Sequence, residues 1–205
     1  TDGGVFYAVS LSAAGVQTDP NNSIVERTKD YSTAQFYKGA IGQNQTHETL
    51  LVGSQDNGSL FVEGATPGTN TTTEVYGGDG GYCFIDKDGA YMIASYVYNN
   101  YIRLNLPYTG IQELIDEDPN TGSFINIAEL DDNLDILYTN GTAKDFGATT
   151  TVNMYKNITT ASPTKTLLTS SLLTDEITVL KTSPYTTTST KLFVGTSVGK
   201  IIKIT

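Results

Sequence analysis

The sequence predicts an all-β protein, a β-propeller of about four four-stranded antiparallel blades. Apolar residues occur in short runs that are broken by Gly, Asn and Asp clusters, which is the pattern of strands and turns. Thr is the commonest residue and is accompanied by 20 Gly and 13 Tyr, so the composition favours strands and turns over exposed helices. A similar order of strands and turns recurs along the chain, as expected for blades.

Four segments carry this repeated order, and their starts are spaced by about 40 to 50 residues, the period of propeller blades. In each segment an apolar strand leads through a polar loop to a second strand, a tight turn and a third strand. Residues 1–18 are similar to the end of a preceding blade. We therefore expect 1–205 to be a single propeller segment with further blades in the intact protein. The four segments are 36–62, 82–104, 124–155 and 177–204.

The strands follow from apolar runs that lie between turn residues. In the first segment, Leu50–Gly53 leads through the turn Gln55–Gly58 to Leu60–Val62. In the second, Asn99–Asn100 is predicted to form a type I′ hairpin turn, because Asn tolerates positive φ. In the third, Phe124–Ile127 is predicted to be the first strand. The fourth segment ends in two apolar strands around a turn that contains Gly.

The charge balance excludes two classes of partner. The chain has 22 acidic and 12 basic residues and a net charge of -10, which repels nucleic-acid phosphates and anionic lipid headgroups. No apolar stretch is long enough to predict membrane insertion. Cys83 is the single cysteine, so an intrachain disulfide and a cysteine-based zinc site are excluded. We interpret Cys83 as a small buried apolar residue.

Six Asn-x-Ser/Thr triplets are candidate N-glycan acceptors. A chain this rich in Asn and Thr also forms such triplets by chance, and we favour that explanation. The acceptor positions are Asn21, Asn44, Asn57, Asn70, Asn140 and Asn157.

The first-segment turn contains Ser54, Asp56 and Gly58, which match the Ser-x-Asp-x-Gly positions of an Asp-box. The segment resembles the Asp-box (BNR) repeats of sialidase-like and sortilin-like propellers, although Leu60 and Phe61 stand where those repeats have Thr and Trp. The Asp of such a box accepts hydrogen bonds from backbone N–H groups of its own turn, so Asp56 is predicted to be structural.

Five further segments are similar to propeller regions of secreted surface proteins from type IX-secreting bacteria. The resemblance implies an exported propeller, secreted or at the cell surface, within a longer chain. It implies a role in adhesion, in protein or glycan binding, or in surface assembly with further blades. The segments are Gly77–Asp86, Ser95–Tyr101, Gly122–Asn126, Leu134–Tyr138 and Leu192–Thr196.

The acidic loop at 116–122 is a candidate calcium site. Asp116, Asp118 and Asn120 place oxygen side chains at alternate positions, an arrangement that lets one loop wrap Ca²⁺. The loop departs from the EF-hand pattern, because Thr121 stands where Gly is expected and Ile127 stands at the acidic twelfth position. The alternative, an acidic loop that turns between blades, is the one we favour.

No catalytic residue is singled out. Gly195–Gly199 fits Gly-x-Ser-x-Gly, but a strand follows it and His47, the single histidine, lies far upstream. Arg27 and Arg103 are the two arginines, whereas sialidases grip their substrate carboxylate with three. A non-catalytic binding module is therefore favoured. The alternative is part of a glycoside hydrolase or sialidase-like enzyme whose site is completed by blades outside this segment.

Five tyrosines can stack on sugar rings if they are exposed together, although packing within the sheets is the favoured interpretation. They are Tyr91, Tyr96, Tyr98, Tyr101 and Tyr108.

Overall fold

The computed structural model describes residues 6–16, 18, 23–27, 34–42, 48–144, 149–185 and 187–205. The chain divides into two compact units, Thr1–Gln35 and Phe36–Thr205. In the first unit, β1 (Phe6–Ala8) pairs antiparallel with β2 (Ile24–Glu26). The assignment of 1–18 to the end of a preceding blade stays a prediction, since part of that segment lies outside the described residues.

The second unit consists of consecutive antiparallel sheets whose strands are ordered as in the chain. This architecture confirms the predicted all-β propeller of about four blades. Blade 1 contains β3 (Phe36–Gly42), β4 (Glu48–Ser54), β5 (Gly58–Ala65) and β6 (Thr73–Tyr76). Blade 2 contains β7 (Phe84–Ile85), β8 (Tyr91–Ser95), β9 (Asn99–Asn105) and β10 (Gln112–Asp118). Blade 3 contains β11 (Ala128–Asp131), β12 (Ile136–Asn140), β13 (Val152–Lys156) and β14 (Thr164–Leu168). Blade 4 contains β15 (Ile177–Thr182), β16 (Leu192–Thr196) and β17 (Ile201–Ile204).

The strands β6, β10 and β14 lie beyond the ends of the segments 36–62, 82–104 and 124–155. Their sequences carry little apolar alternation, because each is the outermost strand of its sheet. In β14 four of five residues are exposed, and β10 carries four acidic side chains. Polar and charged edge strands are common because they discourage pairing with other chains.

Two predictions of local structure are wrong. The turn between β8 and β9 lies at Tyr96–Tyr98, and Tyr98 rather than Asn99 or Asn100 has positive φ, 63°. Both asparagines begin β9 and are buried: Asn99 Nδ2 donates to the carbonyl of Asn140 in blade 3, and Asn100 Nδ2 donates to the carbonyl of Val97 in the preceding turn. Phe124–Ile127 is not a strand, and blade 3 begins at Ala128.

Apolar cores fill the spaces between neighbouring blades of the second unit. The two faces of β8 serve two of them: Met92 and Ala94 pack towards blade 1, and Tyr91 and Ile93 pack towards blade 3. Period-two alternation of this kind places successive side chains on opposite faces of a strand. In the blade 1–2 core, burial raises the pKa of the Cys83 thiol to about 12, and the thiol lies 3.2 Å from the carbonyl oxygen of Leu51. The predicted burial of Cys83 is confirmed.

The first strands of adjacent blades lie together, as the contacts of β3 with β7 and of β11 with β15 show. We call the end of blades 2 and 3 that carries the 96–98 turn, the 119–127 connection and residues 141–144 and 149–151 the upper face. The opposite end, with the turns 86–90 and 132–135, is the lower face.

Candidate binding site between blades 2 and 3

The residues predicted to form an Asp-box, Ser54, Asp56 and Gly58, lie at the tight turn between β4 and β5. Ser54 Oγ donates a hydrogen bond to the carbonyl of Gly58 at 3.0 Å. Asp56 adopts a φ of 59°, and its backbone N–H donates to the carboxylate of Asp79 at 3.0 Å. Among the described contacts, the carboxylate that accepts a hydrogen bond from the backbone of this turn therefore belongs to Asp79, 23 residues downstream. The structural role predicted for Asp56 stays a prediction.

The glycine-rich segment around Asp79 lies directly against this turn. A Cβ on Gly53 would be 2.0 Å from the carbonyl oxygen of Gly81, and one on Gly80 would be 2.3 Å from that of Gly58. The N–H of Gly80 donates to the carbonyl of Ser54 at 2.9 Å. The backbones of the two segments therefore pack directly against each other. Glycine is required at these positions because any side chain would collide with the facing carbonyl oxygen.

The candidate glycan acceptors differ in accessibility. Asn140 is 4% exposed, and its carbonyl and side chain are hydrogen-bonded between blades. A sequon whose Asn is buried in this way cannot carry a glycan in the folded chain. Asn57 and Asn157 are exposed, and Asn70 is half-buried. Asn21 and Asn44 lie outside the described residues.

The predicted calcium loop is paired with a lysine of blade 3. Lys165 Nζ lies 2.8 Å from Asp116 Oδ2 and 3.1 Å from Asp118 Oδ2. Burial opposes a lower pKa for Asp118, but hydrogen bonds from Asn120, Thr121 and Lys165 lower it overall. A Ca²⁺ ion at Asp116, Asp118 and Asn120 would have to displace this ammonium group. No cluster of three or more His, Cys, Asp or Glu side chains suited to a metal occurs among the described residues.

Backbone contacts join the same loop to blade 3. Thr121 forms an antiparallel bridge with Ala143, and the N–H of Gly122 donates to the carbonyl of Thr142 at 2.8 Å. These contacts match the favoured alternative, an acidic loop that turns between blades.

Behind the loop, three asparagines form a buried network. Asn126 Nδ2 donates to Asn99 Oδ1 at 2.7 Å and to the carbonyl of Asn140 at 3.0 Å. Asn99 Nδ2 donates to the same carbonyl at 2.9 Å and to Thr121 Oγ1 at 2.7 Å. Thr139 Oγ1 donates to Asn99 Oδ1 at 2.6 Å. The bonds link β9 of blade 2, the 119–127 connection and β12 of blade 3, so the network fixes the position of one blade on the other.

A second set of bonds continues the network to the ion pair. Asn153 Nδ2 donates to the hydroxyl of Tyr155 at 3.1 Å, and this hydroxyl donates to Asp116 Oδ2 at 2.6 Å. Burial, followed by the hydrogen bond and charge of Asp116, raises the pKa of Tyr155 well above its usual value. Tyr155 is therefore neutral and acts as a hydrogen-bond relay between Asn153 and the Asp116–Lys165 pair.

A cavity of about 600 Å³ opens beside this network at the upper face. Its volume lies within the range of small-ligand sites. The walls combine hydroxyl, amide and ionised groups with small apolar surfaces. They are formed by Asp118, Thr121, Gly141, Ala143, Thr149, Thr151, Asn153, Lys165 and Leu167.

Thr151 gives the cavity an unused hydrogen-bonding group. Its side chain is 6% exposed, and its Oγ1 has no hydrogen-bond partner in the structure. A buried hydroxyl without a partner is unfavourable by about 1–3 kcal/mol, so such groups are uncommon unless they serve a purpose. A Cβ on Gly141 would lie 3.0 Å from this oxygen and 2.5 Å from Asn153 Oδ1, so the space beside Thr151 depends on glycine.

The lower face of the same blades carries a pair of carboxyl groups. Burial raises the pKa of Asp132 to about 6, the Lys87 N–H opposes this shift, and the adjoining, hydrogen-bonded Asp86 carboxyl adds to it. The Lys87 N–H lies 3.1 Å from each Asp132 oxygen. Close by, the hydroxyl of Tyr91 donates to Asp135 at 2.7 Å. The Asp86 and Asp132 carboxyls therefore lie side by side and connect the turns of blades 2 and 3.

The other sequence candidates are dispersed. Gly195–Gly199 spans the end of β16 and the turn to β17, with no helix after it, so it is not a nucleophile elbow. Arg103 pairs with Glu113 and Asn105, and Arg27 lies over the ring of Tyr7 in the first unit. His47 lies outside the described residues.

The five tyrosines do not form one exposed surface. Tyr91 and Tyr101 are buried, Tyr96 packs near Tyr76, Tyr98 stacks edge-on against Phe124, and Tyr108 packs against Phe61. Packing within and between the sheets accounts for them. The buried asparagine network, Lys165 and Thr151 were not singled out from sequence, because their partners lie far away in the chain.

Comparison with known proteins shows the fold alone. No family model matches the chain, and no curated protein matches it. Among solved structures, the crystal structure of Saccharomyces cerevisiae Sqt1, a β-propeller, is similar with a TM-score of 0.57 and 12% sequence identity. The match covers 84% of this chain and 45% of the Sqt1 chain, so this chain spans less than half of the length of Sqt1.

Within the described residues, no helix is long and apolar enough to cross a membrane.

Proposed function

We propose that this chain is a non-catalytic propeller module that binds a partner at the upper face of blades 2 and 3. The observation that carries the proposal is the 600 Å³ cavity with the buried, unpartnered hydroxyl of Thr151 in its wall. Thr151 Oγ1 is itself buried and has no partner, so a ligand that displaces the wall enough to reach it adds a hydrogen bond without breaking one within the protein.

The surrounding structure supports such a role because the cavity is held rigidly. The amide of Asn153 is oriented by Tyr155 and Thr139, and Lys165 is held by two carboxylates. Groups that are already ordered lose little conformational entropy when a ligand binds. A pocket whose polar side chains are preorganised is therefore suited to recognition.

The setting that we propose is extracellular, as part of a secreted or surface-attached protein that acts in adhesion or assembly. This part rests on the resemblance of Gly77–Asp86 and Ser95–Tyr101 to propeller regions of exported surface proteins. Cell fractionation with surface proteolysis tests it directly: intact cells treated with protease lose the protein if it is exported and retain it if it is internal.

The alternative is a contribution to a glycoside hydrolase, and the carboxyl pair Asp86–Asp132, in which the pKa of Asp132 is raised, is the candidate acid pair. These groups are hydrogen-bonded to each other, whereas the carboxyls of glycosidases stand about 5 to 9 Å apart so that the glycosidic bond fits between them. The pair is suited to joining two turns rather than to hydrolysis.

Binding to an array that carries both oligosaccharides and proteins tests the proposed function. Thr149→Trp places a bulky ring at the exposed rim of the cavity, and Thr159→Trp adds the same ring at an exposed site after β13. We expect the wild-type chain and Thr159→Trp to bind alike and Thr149→Trp to bind at least about tenfold more weakly. Absence of binding by the wild type, equal binding by Thr149→Trp, or turnover of an arrayed oligosaccharide overturns the proposal.

A further inference from the structure

We infer that the ligand of the upper-face cavity is a neutral saccharide unit. This inference rests on the proposed function and adds the chemical class of the ligand. Its starting point is the set of hydrogen-bonding groups in the cavity wall whose capacity the protein itself leaves partly unused.

The available groups both donate and accept hydrogen bonds. Thr151 Oγ1 has no partner, and Asn153 uses its Nδ2 for Thr139 and Tyr155, which leaves its Oδ1 as an acceptor. The exposed hydroxyl of Thr149 stands at the rim. Lys165 donates to Asp116 and Asp118 and retains a third N–H. A sugar ring carries hydroxyl groups that donate and accept in the same way around its edge.

The charge of the wall favours a neutral ligand over an anionic one. Lys165 faces two carboxylates, Asp116 and Asp118, so this group of three carries a net negative charge. The whole chain has a net charge of -10, which acts in the same direction. An acidic sugar would therefore meet repulsion and would find no free cation in this group.

A sugar ring also has an apolar face formed by its C–H groups, and the apolar part of the cavity wall can pack against that face. Leu167 is 54% exposed, and Gly141 and Ala143 present small surfaces next to it. An exposed leucine beside a polar pocket offers contact area that a ligand can cover. A cavity of about 600 Å³ is large enough for a ring with its hydroxyl groups.

The test variant is Thr151→Val, which keeps the shape of the side chain and removes the unpartnered hydroxyl. Ser59→Ala is the matched control, because Ser59 Oγ is also buried and unpartnered but lies outside the cavity. Neither change removes a hydrogen bond that the fold uses, so both variants are expected to melt at or slightly above the temperature of the wild type.

Binding is measured by NMR titration of the full chain with glucose, galactose, mannose, N-acetylglucosamine and glucuronic acid. We expect at least one neutral sugar to give saturable shifts near Thr151 and Asn153, with glucuronic acid at least about tenfold weaker. Thr151→Val is expected to bind that sugar about tenfold more weakly, and Ser59→Ala to bind as the wild type does.

Three results overturn the inference: no saturable shift with any neutral sugar, equal affinity for glucuronic acid, or unchanged binding by Thr151→Val. If the chain then binds an arrayed protein and Thr149→Trp prevents it, the proposed binding function stands and the saccharide assignment alone fails. If the chain binds neither sugars nor proteins, both fail.

Discussion

The two interfaces made by blade 2 are built on different principles. At the interface with blade 1 the side chains are apolar. At the upper end of this interface, the backbone of one glycine segment packs directly against the backbone of another. Towards blade 3, the apolar cluster is bordered by the asparagine network above and by the Asp86–Asp132 pair below. The blade 1–2 interface is so closely packed that its glycines have no room for an added side-chain atom. The blade 2–3 interface is held by specific hydrogen bonds between polar side chains, and a cavity that can hold a ligand lies beside them.

The largest effect is expected from Gly53→Ala at the first interface. The new Cβ would lie 2.0 Å from the carbonyl oxygen of Gly81, so the backbone has to shift. We expect the free energy of unfolding in urea to fall by about 3 kcal/mol or more. Gly39→Ala is the control, because its Cβ would meet Val52 at an ordinary 3.5 Å. Equal stability of the two variants would contradict close packing as the principle of this interface.

The second interface is tested by removing one hydroxyl group. Tyr155→Phe leaves Asp116 and Asn153 without a shared partner, and we expect a loss of about 2 kcal/mol in the free energy of unfolding. Tyr101→Phe is matched in burial but removes a single bond of 3.4 Å to the carbonyl of Asn126, so we expect a loss below about 1 kcal/mol. A larger loss in Tyr101→Phe would show that apolar packing, not the relay, dominates this side.

The lower end of the second interface is expected to respond to pH. The pKa of Asp132 is raised to about 6 in the folded chain, so its stabilising contribution is complete below about pH 4 and is lost as the pH rises through about 6. Asp132→Asn removes this titration. Because Asp132 is only half-buried, solvent screens its charge and the effect is small. We expect the free energy of unfolding of Asp132→Asn in urea to exceed that of the wild type by about 1 kcal/mol at pH 7.5 and to equal it at pH 4.

For that experiment, Asp88→Asn on the neighbouring 86–90 turn serves as the control, because Asp88 is exposed. A constant difference between Asp132→Asn and the wild type from pH 4 to pH 7.5 would refute the raised pKa of Asp132.

The smallest effect concerns the predicted calcium loop. Lys165→Met leaves Asp116 and Asp118 without their cation, and we expect a loss of about 1 kcal/mol, since the lysine is partly exposed. Millimolar calcium is expected to raise the melting temperature of this variant more than that of the wild type. Equal shifts in both proteins would mean that calcium binds without displacing Lys165, and the ion pair would then not be the competitor.

The sequence predicts the strands well where apolar residues alternate, as in Leu50–Gly53 and Tyr91–Ala94. It fails at Asn99–Asn100, because the intrinsic turn preference of Asn99 is outweighed by its hydrogen bonds to residues 22 and 41 positions away. The acidic loop gives a similar lesson. Its side-chain spacing is visible in the sequence, but its cation is Lys165, 47 and 49 residues downstream.

The cavity was outside the reach of sequence reasoning for the same physical reason. Thr151 is one of many threonines, and nothing in its local sequence shows that its hydroxyl lacks a partner. That property depends on Gly141 and Asn153, which meet it only when β12 and β13 pair. Local patterns therefore predict the elements, and tertiary pairing creates the site.

The buried thiol of Cys83 allows opening of the blade 1–2 interface to be measured in the unmodified chain, by the rate at which the thiol is labelled. Thiol reagents attack the thiolate, and a pKa of about 12 together with burial keeps Cys83 unreactive while blades 1 and 2 stay closed. The rate of labelling at neutral pH therefore counts openings of that interface at equilibrium, without an added probe. Because Cys83 does not belong to the blade 2–3 cluster, comparing the labelling rate of Tyr155→Phe with that of the wild type shows whether the two interfaces open together or separately.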